Sequence, residues 1–138
     1  MKPAYAECEL INSGDLALFR RNYIHYNDIK RVRVKMSVNL KTSTLIINET
    51  IRQQLQLEIE EIRTFRMEDN SLAQFPVSSP IELHFENRRT LCRAIILPDD
   101  SEPVLGAIPF YDMDVIIDSQ KGELAVNPSH PDMAWVKL

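Results

Sequence analysis

The run IELHFENRRTLCRAIIL, Ile81 to Leu97, constrains this chain more than any other stretch. Ile81, Leu83 and Phe85 alternate with Glu82, His84 and Glu86. A period of two puts neighbouring side chains on opposite faces of a pleated strand, so one face is buried and the other wet. Glu86, Asn87 and Arg88 then turn the chain into a second apolar run, which completes an antiparallel hairpin. Similar short runs recur between turn signals and predict strands over residues 5–11, 31–39, 57–67, 73–86, 90–97, 114–117 and 123–126. Helices are brief. Asn48 is placed to cap ETIRQQLQL, with Ile51 and Leu55 four apart on one side. Ser13 is placed to cap a turn over Asp15 to Leu18, and Pro109 to open another through Phe110, Tyr111 and Asp112. Many short strands with one or two short helices predict an all-β barrel or sandwich. No linker or repeat divides the 138 residues, so residues 1–138 read as a single domain.

Composition excludes several functions. With 16 basic and 20 acidic residues the net charge is −4, which argues against nucleic-acid binding. The basic stretch from Arg20 to Lys35 reads as a solvated strand face. Cys8 and Cys92 lie in apolar runs and read as small buried hydrophobes. There is no CxxC and no His/Cys cluster, so no metal and no cofactor is expected. His25, His84 and His130 are scattered and read as surface or half-buried side chains. The start, MKPAYAECELIN, has no apolar signal core, and no segment approaches the roughly 18 apolar residues of a membrane span. No membrane association and a cytoplasmic location are the expectation. The tail NPSHPDMAWVKL, residues 127–138, reads as an extended piece anchored by burial of the Trp135 ring.

Three stretches together resemble the bacterial retropepsin-like aspartic proteases, single-domain relatives of the retroviral enzymes. YAECELINSGDLALFRR followed by IKRVRVKMSV is similar to the family's entry segment. TLIINETIRQQLQL is similar to the segment after the catalytic triplet. SPIELHFENRRTLCRAIILPDDSEPVLGAIPFYDMDVIIDSQKGELAVNP is similar to the C-terminal half, with its hydrophobic-hydrophobic-Gly element at Val104, Leu105 and Gly106. The resemblance implies a closed acid-protease barrel and a dimer of two chains, each supplying one Asp-Thr/Ser-Gly triplet. Two aspartates share a proton at the dimer axis. One activates water while the other, protonated, polarises the scissile carbonyl.

In this chain the triplet falls on Asn39, Leu40 and Lys41, at the end of an apolar strand. An amide does not titrate usefully near neutral pH and takes no proton from water. Leu40 has no hydroxyl, and Lys41 replaces a permissive glycine with a cation on a bulky stem. The flap, near 66–76, carries Glu68, Asp69, Asn70 and Ser71 where the family pattern is Ala-Asp-Gly-Ser. Asn70 tolerates a left-handed turn. Ser79 stands where a glycine is common. Thr42, Leu105, Gly106 and Ala107 complete the cleft and flap candidates. Asp99, Asp100, Asp112, Asp114 and Asp118 read as turn and strand-edge residues, not as a relocated acid pair.

Three readings follow. The first is a catalytically inactive aspartic-protease-like domain acting in binding or assembly, as a homodimer or beside a related chain, with a peptide as a possible ligand. The second is an aspartic endopeptidase active as a dimer or with a related subunit. The third is a monomeric structural module whose cleft is filled by Leu40 and Lys41.

Overall fold

A computed structural model describes residues 3–138. Its first strand, β1 (Ala4–Asn12), fixes the frame. Ala4, Ala6, Cys8 and Leu10 are buried while Glu7 and Glu9 point outward, as the period of two requires. One edge of β1 runs antiparallel to β2 (Arg31–Val38) along nearly its whole length. The other edge is shared. Tyr5 pairs in parallel with Glu123 of β11 (Glu123–Val126), and Glu9 to Asn12 pair antiparallel with β6 (Ile81–Phe85). The outward basic residues of β2 face acids: Lys35 lies opposite Glu7 and Arg33 opposite Glu9, while Arg31 reaches Glu9 at 3.7 Å. This local basic stretch is therefore a charge-matched sheet face.

The remaining strands are β3 (Leu45–Asn48), β4 (Ile59–Arg66), β5 (Leu72–Ser78), β7 (Arg88–Cys92), β8 (Ala94–Leu97), β9 (Val104–Leu105) and β10 (Val115–Asp118). The sheet runs β10-β11-β1-β2-β9-β3-β8-β5-β4, with β6 and β7 branching from β1. One apolar cluster takes Leu124 from β11, Cys8 from β1, Met36 from β2, Leu105 from β9 and Ile47 from β3. Strands so far apart in the order reach one core only if the sheet curls.

The expected closed barrel is corrected to an open, curled sheet: the path ends on β4 and β10. The reason lies in β4, whose residues are exposed along almost the whole strand. The far end of the sheet leaves the core instead of returning to it. Other expectations shift locally. The run over 73–86 breaks at Ser79-Pro80 into β5 and β6, because proline has no N–H for a ladder. The run over 90–97 breaks at Arg93. The two-residue strand β9 and the short β3 have too few residues to display a period.

Three helices form, not one or two: α1 (Ser13–Arg20), α2 (Glu49–Leu55) and α3 (Ala107–Asp112), besides a 3-10 turn at Tyr26–Asp28. The cap of α1 is Asn12, not Ser13; its Oδ1 accepts from the Asp15 N–H at 3.1 Å while its Nδ2 donates to the Leu55 carbonyl. Helix α3 starts two residues before Pro109, capped at Gly106. Asn48 caps α2 as expected, accepting from the Ile51 N–H at 2.8 Å. It is buried, and its Nδ2 donates to the Ser101 carbonyl at 2.9 Å, tying the 98–103 loop to the helix. Replacing Asn48 with alanine removes both bonds and should lower stability by about 2 kcal/mol, read from urea unfolding.

Candidate functional site

Strand β2 ends at Val38, and residues 39–44 reverse the chain into β3. Strand β9 lies between them, parallel to β2 and antiparallel to β3. The Asn39 N–H donates to the Leu105 carbonyl at 3.0 Å, which extends the β2–β9 pairing to the tip. The Thr42 N–H returns to the Asn39 carbonyl at 3.1 Å. The Asn39 side chain is engaged in the same turn: its Oδ1 accepts from the Lys41 N–H at 3.0 Å. An asparagine that bonds its own backbone two residues on closes an Asx turn. Asn39, Leu40 and Lys41 are exposed, and Thr42 is half-buried.

The next layer explains the lone glycine of this region. A Cβ on Gly106 would stand 2.2 Å from the Thr44 carbonyl oxygen and 2.6 Å from that of Thr42. Only a residue without a side chain allows this approach. Beyond it, the Ala107 and Ile108 N–H groups donate to the Thr42 and Ser43 carbonyls at 2.8 and 2.9 Å. The turn thus satisfies two of the orphan donors at the start of α3. Asn39, Leu40, Lys41 and Thr42 are in this way brought together with Leu105, Gly106 and Ala107.

The flap candidates lie elsewhere, on the hairpin of β4 and β5. The Met67 N–H donates to the Ser71 carbonyl, and the Asn70 N–H to the Met67 carbonyl. Asn70 stands at φ 67°, the left-handed position that closes a three-residue hairpin loop. The Asp69 carboxylate accepts from the Ser71 hydroxyl and N–H, which hold its pKa below the usual range. Among the described residues, no hydrogen bond joins Glu68, Asp69, Asn70 or Ser71 to the 39–42 turn.

A second constellation escaped the sequence reading. Asp114, at φ 54°, is the hub of the C-terminal segment. Its carboxylate accepts from the Trp135 N–H at 2.9 Å, from Asn127 Nδ2 at 2.9 Å and from His130 Nδ1 at 2.6 Å. The buried Arg88 guanidinium donates to the carbonyls of Asp114 and His130. The bond from the Trp135 backbone, then that from Asn127, holds the Asp114 carboxyl down at about 2. The Trp135 ring stacks on His130 at 4.0 Å but remains 66% exposed. The tail is therefore anchored by a polar hub and not, as expected, by a buried ring. The one sequence cue was the polar set Asn127, His130 and Trp135 after the last strand. Arg88, assigned to a turn, opens β7 as a buried residue because Glu86 and Asn87 suffice to reverse the hairpin.

Other acids serve turns or ladders. Asp112 accepts from the Thr90 hydroxyl, and Asp118 from the Gln120 and Lys121 N–H groups. Cys8 and Cys92 are free thiols that burial pushes up to about 12, so neither offers a thiolate near neutral pH. Among the described residues, no His/Cys/Asp/Glu group is arranged to hold a metal ion, and no helix is long and apolar enough to cross a membrane.

The fold is similar to the crystal structure of the retroviral protease-like domain of Ddi1 from Leishmania major. The TM-score is 0.55 at 12% identity, over 93% of this chain and 90% of that one. At that identity the likeness supports a retropepsin-like fold and nothing finer. No protein-family model matches the chain, and no curated protein matches it in sequence.

Gly106→Ala should cost about 3 kcal/mol in urea unfolding, because the blocking atoms are backbone. The Asp114 hub predicts a pH response. A carboxyl lowered to about 2 gives a contribution fully present above its unfolded value near 4 and lost as pH falls through about 2. Asp114→Asn should lower stability in urea unfolding at pH 7, and the gap to wild type should close as pH falls from about 4 through about 2.

Proposed function

We propose that residues 1–138 form an aspartic-protease-like domain that does not hydrolyse peptides and acts in binding or assembly. One observation carries this reading: at the strand-to-turn tip, Asn39 spends its side-chain oxygen on the Lys41 N–H. The side chain at the position the family uses for its carboxylate holds the turn in shape. Peptide hydrolysis by a shared-proton pair needs a base to take a proton from water and an acid to polarise the carbonyl. An amide supplies neither. Leu40 and Lys41 supply no substitute, and neither thiol is ionised near neutral pH.

Contact is what remains. Thr42, Leu105, Gly106 and Ala107 form the floor candidates, with Glu68, Asp69, Asn70 and Ser71 at the flap tip. An extended peptide lying between them would bind as an added strand, through backbone hydrogen bonds. The partner for such a site is a second copy or a related chain. An active heterodimer is less well supported, because one intact triplet supplies only one of two carboxylates. A filled cleft is also less well supported, since Leu40 and Lys41 are exposed in the single chain.

The test compares purified wild type with the triple variant Asn39→Asp, Leu40→Thr, Lys41→Gly on a peptide library from pH 3 to 8. The expected outcome is cleavage only by the variant, with an acid optimum, and calorimetric binding of a statine-type inhibitor by both. Cleavage by the wild type would overturn the reading.

A further inference from the structure

Among the described residues, strand β4 ends the sheet with an unpaired edge, and both its faces are exposed. Which backbone groups it presents follows from the hairpin. The Met67 N–H points to Ser71 on the β5 side. Ladder bonds alternate along a strand, so Phe65 and Arg63 also face β5. Ile62 lies opposite Pro76, which has no N–H, in agreement with that parity. Ile62, Thr64 and Arg66 therefore direct N–H and C=O groups to the open edge.

Charged residues on an edge strand ordinarily discourage pairing. Here their order has the opposite effect for one partner. We propose that β4 is a self-recognition edge, at which a second copy of this chain pairs antiparallel about a two-fold axis through Ile62. In that register Ile62 meets its own copy and Glu61 meets Arg63, and the bulge before Glu61 ends the regular pairing. The outward parity of Ile62 makes the central pair one that exchanges both backbone bonds. Glu61 and Arg63 already form an ion pair within one chain, and both are exposed. Two copies would join them into a ring of four charges alternating in sign. Shifting by two residues sets Arg63 against Arg63; shifting by four sets Ile62 against Arg66. Like charges directly opposite destabilise the first of these, and the second loses both the apolar pair and the Glu61–Arg63 contacts, so one register is selected. Ile62 is 59% exposed and gains an apolar partner. The bulge between Ile59 and Glu61 limits the ladder's length, and Glu60 is held by Arg93 at 2.8 Å within its own chain. This interface leaves the 39–42 turn free and does not depend on whether that turn binds peptide.

The test is sedimentation velocity over a concentration series up to about 0.5 mM, which detects a dimer of submillimolar Kd. Wild type should shift from 16.0 kDa toward twice that mass. Glu61→Arg should weaken the dimer roughly tenfold, and adding Arg63→Glu should restore it, because the swapped pair keeps the complementarity. Ile62→Pro, which removes the central N–H, should leave only monomer; its folding is checked by circular dichroism, and Thr64 N-methylation by semisynthesis serves where it fails to fold. A wild type that stays monomeric overturns the proposal. So does a dimer indifferent to Glu61→Arg, which would place the interface elsewhere.

Discussion

The close approach of Gly106 to the backbone of Thr42 and Thr44 is the contact on which the rest of this structure depends. In the strand order, β9 alone joins the β10-β11-β1-β2 half of the sheet to the β3-β8-β5-β4 half. It is only two residues long, so it has few ladder bonds with which to do so. What secures it is density at its end: a glycine that lets two backbones touch, followed by a helix whose first N–H groups are taken up by the same turn. Leu105, fully buried beside it, ties the joint to the core. The 39–44 turn is part of this structural joint.

Two side chains show how position decides chemistry. Asn39 sits at the exposed tip and uses its oxygen locally, on the Lys41 N–H. Asp114 sits against a buried arginine and gathers three donors from the last segment of the chain. Its carboxylate is held ionised by bonds that favour the charged form. The chain keeps a strongly perturbed acid, but at a place where it fastens a tail and lies among groups already committed to one another. A depressed acid is a good anchor and a poor proton acceptor.

Much of this was legible from pattern. The alternation in Ile81 to Phe85 and the cap at Asn48 follow from side-chain periodicity and local hydrogen bonding. The turn at 39–41 and the glycine after Leu105 were singled out by the family resemblance. What was not legible arose from non-local geometry. Nothing in VLG announces that two residues bridge two half-sheets. Nothing local says that Arg88, next to a turn, is buried beneath a tail some forty residues later. The closed barrel was what the family resemblance implied; the sheet is open and ends on the exposed strand β4. Trp135 was assigned to burial by its size, whereas its main-chain N–H makes the attachment.

The shared edge of β1 has a consequence for how the molecule is made. Its later half can pair with β6 once the middle of the chain exists, but Tyr5 waits for Glu123. The start of the first strand can therefore gain that neighbour only once the intervening segments, through β11, are present. Pairings between such distant segments are slow to close and leave apolar strand exposed meanwhile. The pairing of Tyr5 with Glu123 spans the widest sequence separation in the sheet and is among the slowest to form.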